Sequence, residues 1–208
     1  PGPRTLIFRK NPWKAPMTDD SRIIEFPGRP GDPPALQFRV DLLLMPRPVW
    51  RRIVLPGRAS FWDLHVAIQD AMGWEDRHLH MFTLDDPARG EHLRFGIPDD
   101  NAFHGRADVM AGWEYPVIKF CRPGGPTFLY TYDFGDDWQH EVTLENEVPG
   151  WSLAGLPACT EGEGACPEED SGGPPTQKAA PDGGDAFDPS SVIFDNPRER
   201  WHRAFGHD

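Results

Sequence analysis

A chain of 208 residues has room for one domain with appendages or for two small ones, and 38% apolar content with eight Trp and 13 Phe excludes wholesale disorder. A formal net charge of -12 sets the overall field against nucleic acid, so binding DNA or RNA would need a local basic patch. Three cysteines do not make a disulfide framework, and no apolar run nears the roughly 18 residues that span a bilayer. The first stretch, PGPRTLIFRKNPWK, lacks a clean signal-peptide core, and the expectation is a cytoplasmic protein without a membrane segment.

The 24 Pro and 21 Gly imply a compact core with long irregular edges. Residues 1–34 are Pro-rich and read as an arm, with Leu6, Ile7 and Phe8 as a candidate edge strand. In ALQFRVDLLLM (35–45), Leu36, Phe38, Val40, Leu42 and Leu44 share one face, the pattern of a half-buried strand. PRP turns the chain, and VWRRIVLP (49–56) returns as a second strand.

A helix follows. Ser60 with Asp63 three residues later is a capping-box signature, Phe61, Leu64, Ile68 and Met72 recur at helical spacing, and Gly73 is the expected stop. Hairpin then helix is the opening of a β-grasp-like arrangement. HLHMFTL (78–84) and EHLRFGI (91–97) read as two further strands around DDPARG, and 99–116 as a loop or short helix anchored by Trp113 and Tyr115. PVIKF (116–120) is predicted to start a strand, while FLYTYDF (128–134) and WQHEVTLE (138–145) form a hairpin over GDD.

After Trp151 the composition turns acidic and Gly/Pro-rich, which predicts an irregular segment. NPRERWHRAF reads as a closing helix with Asn196 as cap and Pro197 at the first helical position. The predicted fold is α+β: a β-grasp-like mixed sheet with one main helix packed across it. Residues 35–150 form the core, and 151–208 an acidic loop and C-terminal segment packing on it.

Four blocks, PVWRRIVLPGRASFWDLHVAIQDAMGW, HLHMF, YTYDFGDDWQHEVTLE and CTEGEGACPEEDSGGP, resemble the plasmid pRiA4b ORF-3-like family, also labelled insertion-element passenger or "TnpR" proteins. FDPSSVIFDNPRERW is similar to the family's C-terminal ending. The resemblance implies a compact α+β domain associated with mobile elements and no settled activity. No activated serine among arginines, and no basic segment, supports the recombinase chemistry that the label suggests. Relatives commonly carry cysteines as C-x6-C-x4-C; here Cys159 and Cys166 hold the first two positions and Ser171 the third.

The chemistry-bearing residues gather in HLH and DFGDDWQH. Residues two apart in a strand share a face, so His78 and His80 are expected to project together, and a His-x-His pair can clamp one ion. His140 with Asp133 or Asp136 would complete a site for zinc, manganese or iron. GDD is equally ordinary turn chemistry, and His140 equally a core histidine beside Trp138. Cys159 and Cys166 form a second, incomplete thiol set within an acidic run that includes Glu168, Glu169 and Asp170.

Arg47, Arg51 and Arg52 are a candidate phosphate or nucleic-acid patch, or simply the solvated face of the first hairpin. Walker, dinucleotide, nucleophile-elbow and HExxH motifs are absent from the sequence. Two classes remain: a non-enzymatic accessory or interaction module, whose acidic loop would suit a basic protein partner, and a metal-dependent enzyme built on the His/Asp set.

Overall fold

The structure, a computed structural model, describes residues 33–86, 90–98, 109–149, 156–174 and 187–206. The arm expected at the N-terminus lies, up to residue 32, outside the described residues. Strands β1 (Ala35–Leu42), β2 (Trp50–Leu55), β3 (His80–Asp86), β4 (Glu91–Gly96), β5 (Val109–Ala111), β6 (Phe128–Tyr132), β7 (Trp138–Val148) and β8 (Ala158–Glu163) form one sheet in the order β5-β4-β3-β6-β7-β1-β2-β8. Every pairing is antiparallel except β4–β5, so the fold is a mixed α+β one. The expected hairpin–helix opening is present, within a sheet that runs to eight strands.

Helix α1 (Phe61–Met72) lies across the sheet and carries the predicted caps. Ser60 Oγ accepts from the Asp63 amide at 3.2 Å, the Asp63 carboxylate accepts from the Ser60 amide at 2.7 Å, and Gly73 closes the helix at φ +81°. Phe61 stacks on Phe95 at 3.9 Å between ring centroids and meets the Phe128 ring edge-on at 5.2 Å. Phe38, Leu64, Ile68, Phe82 and Val142 complete the layer. Each such side chain stabilises the fold by about 2 kcal/mol through burial.

The helix is buried on its far side too. There it meets the closing helix α2 (Pro197–Phe205), capped by Asn196 as expected, and Trp62 Nε1 donates to the Pro197 carbonyl at 2.8 Å. His65 and Gln69, polar residues on α1, have no solvent exposure because they turn to the sheet, where both meet the Tyr130 hydroxyl at 2.8 Å.

Two segments depart from the sequence reading. PVIKF is no strand: Val117–Lys119 forms a 3-10 turn, because the Val117 amide donates to the Ala59 carbonyl and its side chain enters the core. The acidic segment is not wholly irregular: β8 pairs with β2, satisfying the edge of the sheet with a polar strand. Gly162 is needed there, since a Cβ would sit 2.5 Å from the Phe187 ring.

Candidate functional site

At one end of the sheet, four stretches meet: the residues after α1 (74–79), the β6–β7 turn (133–137), the start of β3, and residues 166–173 of the acidic loop. Trp74 anchors the loop, its Nε1 donating to the Pro167 carbonyl at 2.9 Å. Glu169 accepts from the Glu75 amide at 2.7 Å and from the Tyr132 hydroxyl. Asp136 Oδ2 accepts from the Gly172 amide at 2.9 Å. The loop is therefore clamped to the core along its length, while Glu168, Asp170 and Ser171 stay exposed.

His78 stands at the centre of this junction. β3 begins only at His80, and His78 occupies a bend before it, so the expected shared face does not exist. Nε2 of His78 lies 2.6 Å from Asp170 Oδ1 and 3.5 Å from Asp133 Oδ2. Asp133 points inward because its other oxygen, Oδ1, accepts from the Gly135 amide at 2.9 Å and holds the turn. Asp133 and Asp170 both adopt positive φ, 50° and 59°, a conformation that aspartate tolerates better than most residues. The hydrogen bond with Asp170 raises the His78 pKa above its ordinary value, and the same bond holds the Asp170 carboxyl below its own.

The three donor atoms all lie within 4.8 Å of one another. Bonds of about 2.1 Å to one ion would place them roughly 3 to 3.4 Å apart. The His78–Asp133 distance is close to that already, and the His78–Asp170 pair would open by under about 1 Å as the shared proton left.

The other expected ligands lie elsewhere. His80 is buried and stacks on the His65 ring at 3.5 Å; His140 is fully buried between Trp74 and Tyr130. Burial pushes the pKa of His140 down to about 3 and lowers that of His80 well below the ordinary value. Alternation in β3 and β7 turns both rings to the core face, away from the open junction. Asp136 is committed to the loop amide. Cys159 and Cys166 are free thiols on the other side of the loop, and burial pushes the Cys166 pKa up to about 12 and raises that of Cys159.

The arginines form no stripe. Arg51 is buried, Arg52 on the opposite face binds Glu145 at 2.6 Å and also Glu161, and Arg47 sits in the exposed turn. Neighbours in a strand face opposite sides, and the one exposed on the sheet is neutralised.

The sequence reading missed two things. Asp170 was legible only as part of an acidic run, because its partner is 92 residues away. A buried polar chain also went unseen: Asp195 and Asp70 bind Arg200, His65 Nε2 lies 2.9 Å from Asp76, and His65 Nδ1 and Gln69 Nε2 each lie 2.8 Å from the Tyr130 hydroxyl. His65 and Gln69 at helical i, i+4 spacing are its one local signal.

Known proteins are similar to this chain. The chain is 36% identical over 126 residues to the uncharacterized protein y4hQ of Sinorhizobium fredii (strain NBRC 101917 / NGR234), a match covering 61% of this chain and 60% of that protein. It thus spans about three-fifths of that relative's length. A crystal structure of a protein of unknown function, MM3350 from Methanosarcina mazei Go1, superposes with a TM-score of 0.62 at 34% identity, covering 68% of this chain and 76% of the other. Among the described residues no helix is long and apolar enough to cross a membrane. The family described as Plasmid pRiA4b ORF-3-like protein matches residues 34–181, and the chain belongs to that family.

Proposed function

We propose that the protein is a non-enzymatic interaction module whose acidic loop is fixed in its docking position by a divalent cation held by His78, Asp133 and Asp170. The observation that carries this reading is the convergence of one imidazole and two carboxylates from three separate segments on one open spot. Mixed N/O donors suit zinc, manganese or iron(II). Without the ion, the His78 proton plays a similar part, pairing the same carboxylates. Cation binding and proton binding then compete, so the loop is held at low pH by the imidazolium and at neutral pH by metal.

The loop so fixed presents Glu168 outward, beside the exposed Glu163 at the end of β8, an acidic face complementary to a basic protein surface. In this role the chain serves as an accessory of the mobile elements implied by its family resemblance. The cell compartment is a reducing cytoplasm in which the three cysteines stay as thiols. Hydrogen exchange tests the reading. Zinc(II) or manganese(II) at pH 7.5 is expected to slow exchange over 167–174 in the wild type and not in Asp170→Asn. Equal exchange with and without either ion would contradict it.

A metal-dependent enzyme is the second reading, favoured by the partial exposure of His78 and Asp170. A cation with three protein ligands keeps a position for water and could lower its pKa. A metal-stimulated hydrolysis of a phosphate or carboxylate ester, lost in Asp133→Asn, would select this reading over the module.

A further inference from the structure

Arg51 is 2% exposed, yet no described carboxylate pairs with it. Its hydrogen bonds to described residues go to main-chain carbonyls: Nε to Ala71 at 2.9 Å, and Nη1 to Trp50 at 2.8 Å and Glu163 at 2.9 Å. A guanidinium has five N–H donors. These bonds take three, all from Nε and Nη1, and the two on Nη2 remain. The ring of Phe187 covers the guanidinium face at 3.6 Å. Burial lowers the Arg51 pKa, the direction expected of a cation without a counter-charge.

The side chain lines a cavity of about 400 Å³ between the C-terminal end of α1, the loop after β8 and residues 187–193. That volume lies within the range of small-molecule sites. Met72, Phe187, Val192 and Ile193 give it apolar walls. Two carboxylates also line it, and both are engaged: Asp70 by Arg200 at 2.6 Å, and Asp188 by the Ser190 amide at 2.9 Å. Their negative charge disfavours a dianion, while the buried cation favours a single negative charge.

We infer that this cavity is a binding site for a small aliphatic monocarboxylate, its carboxylate on Arg51 Nη2 and its hydrocarbon body against Met72, Val192 and Ile193. A buried charge left without a partner is costly, so a ligand that neutralises it gains affinity beyond its apolar contact. The site is separate from the His78 junction and does not depend on a cation there.

The test is an NMR titration of the full chain with butanoate, butanamide and inorganic phosphate, following the Arg51 Nε–H and the Gly73 and Gly164 amides. Butanoate is expected to shift these resonances saturably, with butanamide and phosphate weaker by at least tenfold. Ile193 is 87% exposed at the cavity, so Ile193→Glu leaves the fold intact. That variant is expected to weaken butanoate binding severalfold, and Ile193→Lys is not. Absence of a saturable shift with butanoate, equal binding of butanamide, tighter binding of phosphate, or an unchanged affinity in Ile193→Glu would each overturn the assignment.

Discussion

The Nε2 of His78 and the Oδ1 of Asp170 meet at 2.6 Å across 92 residues of chain. This contact joins the turn before β3 to the acidic loop. It gives a histidine that sequence reasoning placed on a strand a different role, that of a clasp between two loops.

The clasp carries a pH signature. The His78 pKa is raised in the folded state, so the ion pair's contribution is fully present below the ordinary histidine value of about 6.5 and is lost as pH rises through the folded value. In metal-free protein, exchange protection of 167–174 is expected to fall as pH climbs from about 6 to 8. His78→Gln should remove that dependence. A pH-independent loop in the wild type would contradict the clasp.

The buried histidines act in the opposite sense. His140, at about 3, and His80 are held neutral by burial, whereas in the unfolded chain both titrate near 6.5. Below about 6.5 the unfolded state binds protons that the folded state refuses, and stability falls as pH drops. Each group contributes a slope of up to about 1.4 kcal/mol per pH unit. Urea melts between pH 7 and 5 should show this loss, and His140→Gln should show a shallower one.

Arg200 holds the closing helix to the main one. Its guanidinium binds Asp70 at 2.6 Å and Asp195 at 3.1 Å, and the Asp70 side chain is only 6% exposed. Arg200→Ala leaves Asp70 as an uncompensated buried carboxylate, an expected loss of about 3 kcal/mol. Chemical denaturation measures it, and Arg200→Ala with Asp70→Asn together should recover part of the loss.

Gly173 lets the acidic loop approach the hairpin. Its φ is +83°, and a Cβ there would meet the Asp136 carbonyl oxygen at 2.6 Å. Gly173→Ala is expected to lift the loop and raise exchange over 167–174 severalfold, with the melting of the sheet core little changed. A wild-type exchange pattern in this variant would show that the loop is held by other contacts.

Much of the architecture was legible in the sequence because its signals are local. Alternation marked β1 and β7, Ser60 with Asp63 marked the start of α1, and Asn-Pro marked α2. β8 was hidden because an edge strand needs few apolar residues when its pairing comes from β2. Val117–Lys119 looked like a strand because β-branched residues also suit a single turn entering a core. The candidate site was half legible: His78 and Asp133 were found, while Asp170 was joined to them only by folding. His80 and His140 were assigned to the same spot because spacing cannot tell a core face from an open one.

The most direct measurement is the metal content of untagged protein equilibrated with zinc(II) or manganese(II) at pH 7.5 and then dialysed against metal-free buffer. The account predicts one equivalent retained by the wild type and close to none by His78→Ala and Asp133→Asn, with all three equally folded by circular dichroism. A wild type that retains no ion, or variants that retain as much as it does, would contradict a cation held by His78, Asp133 and Asp170.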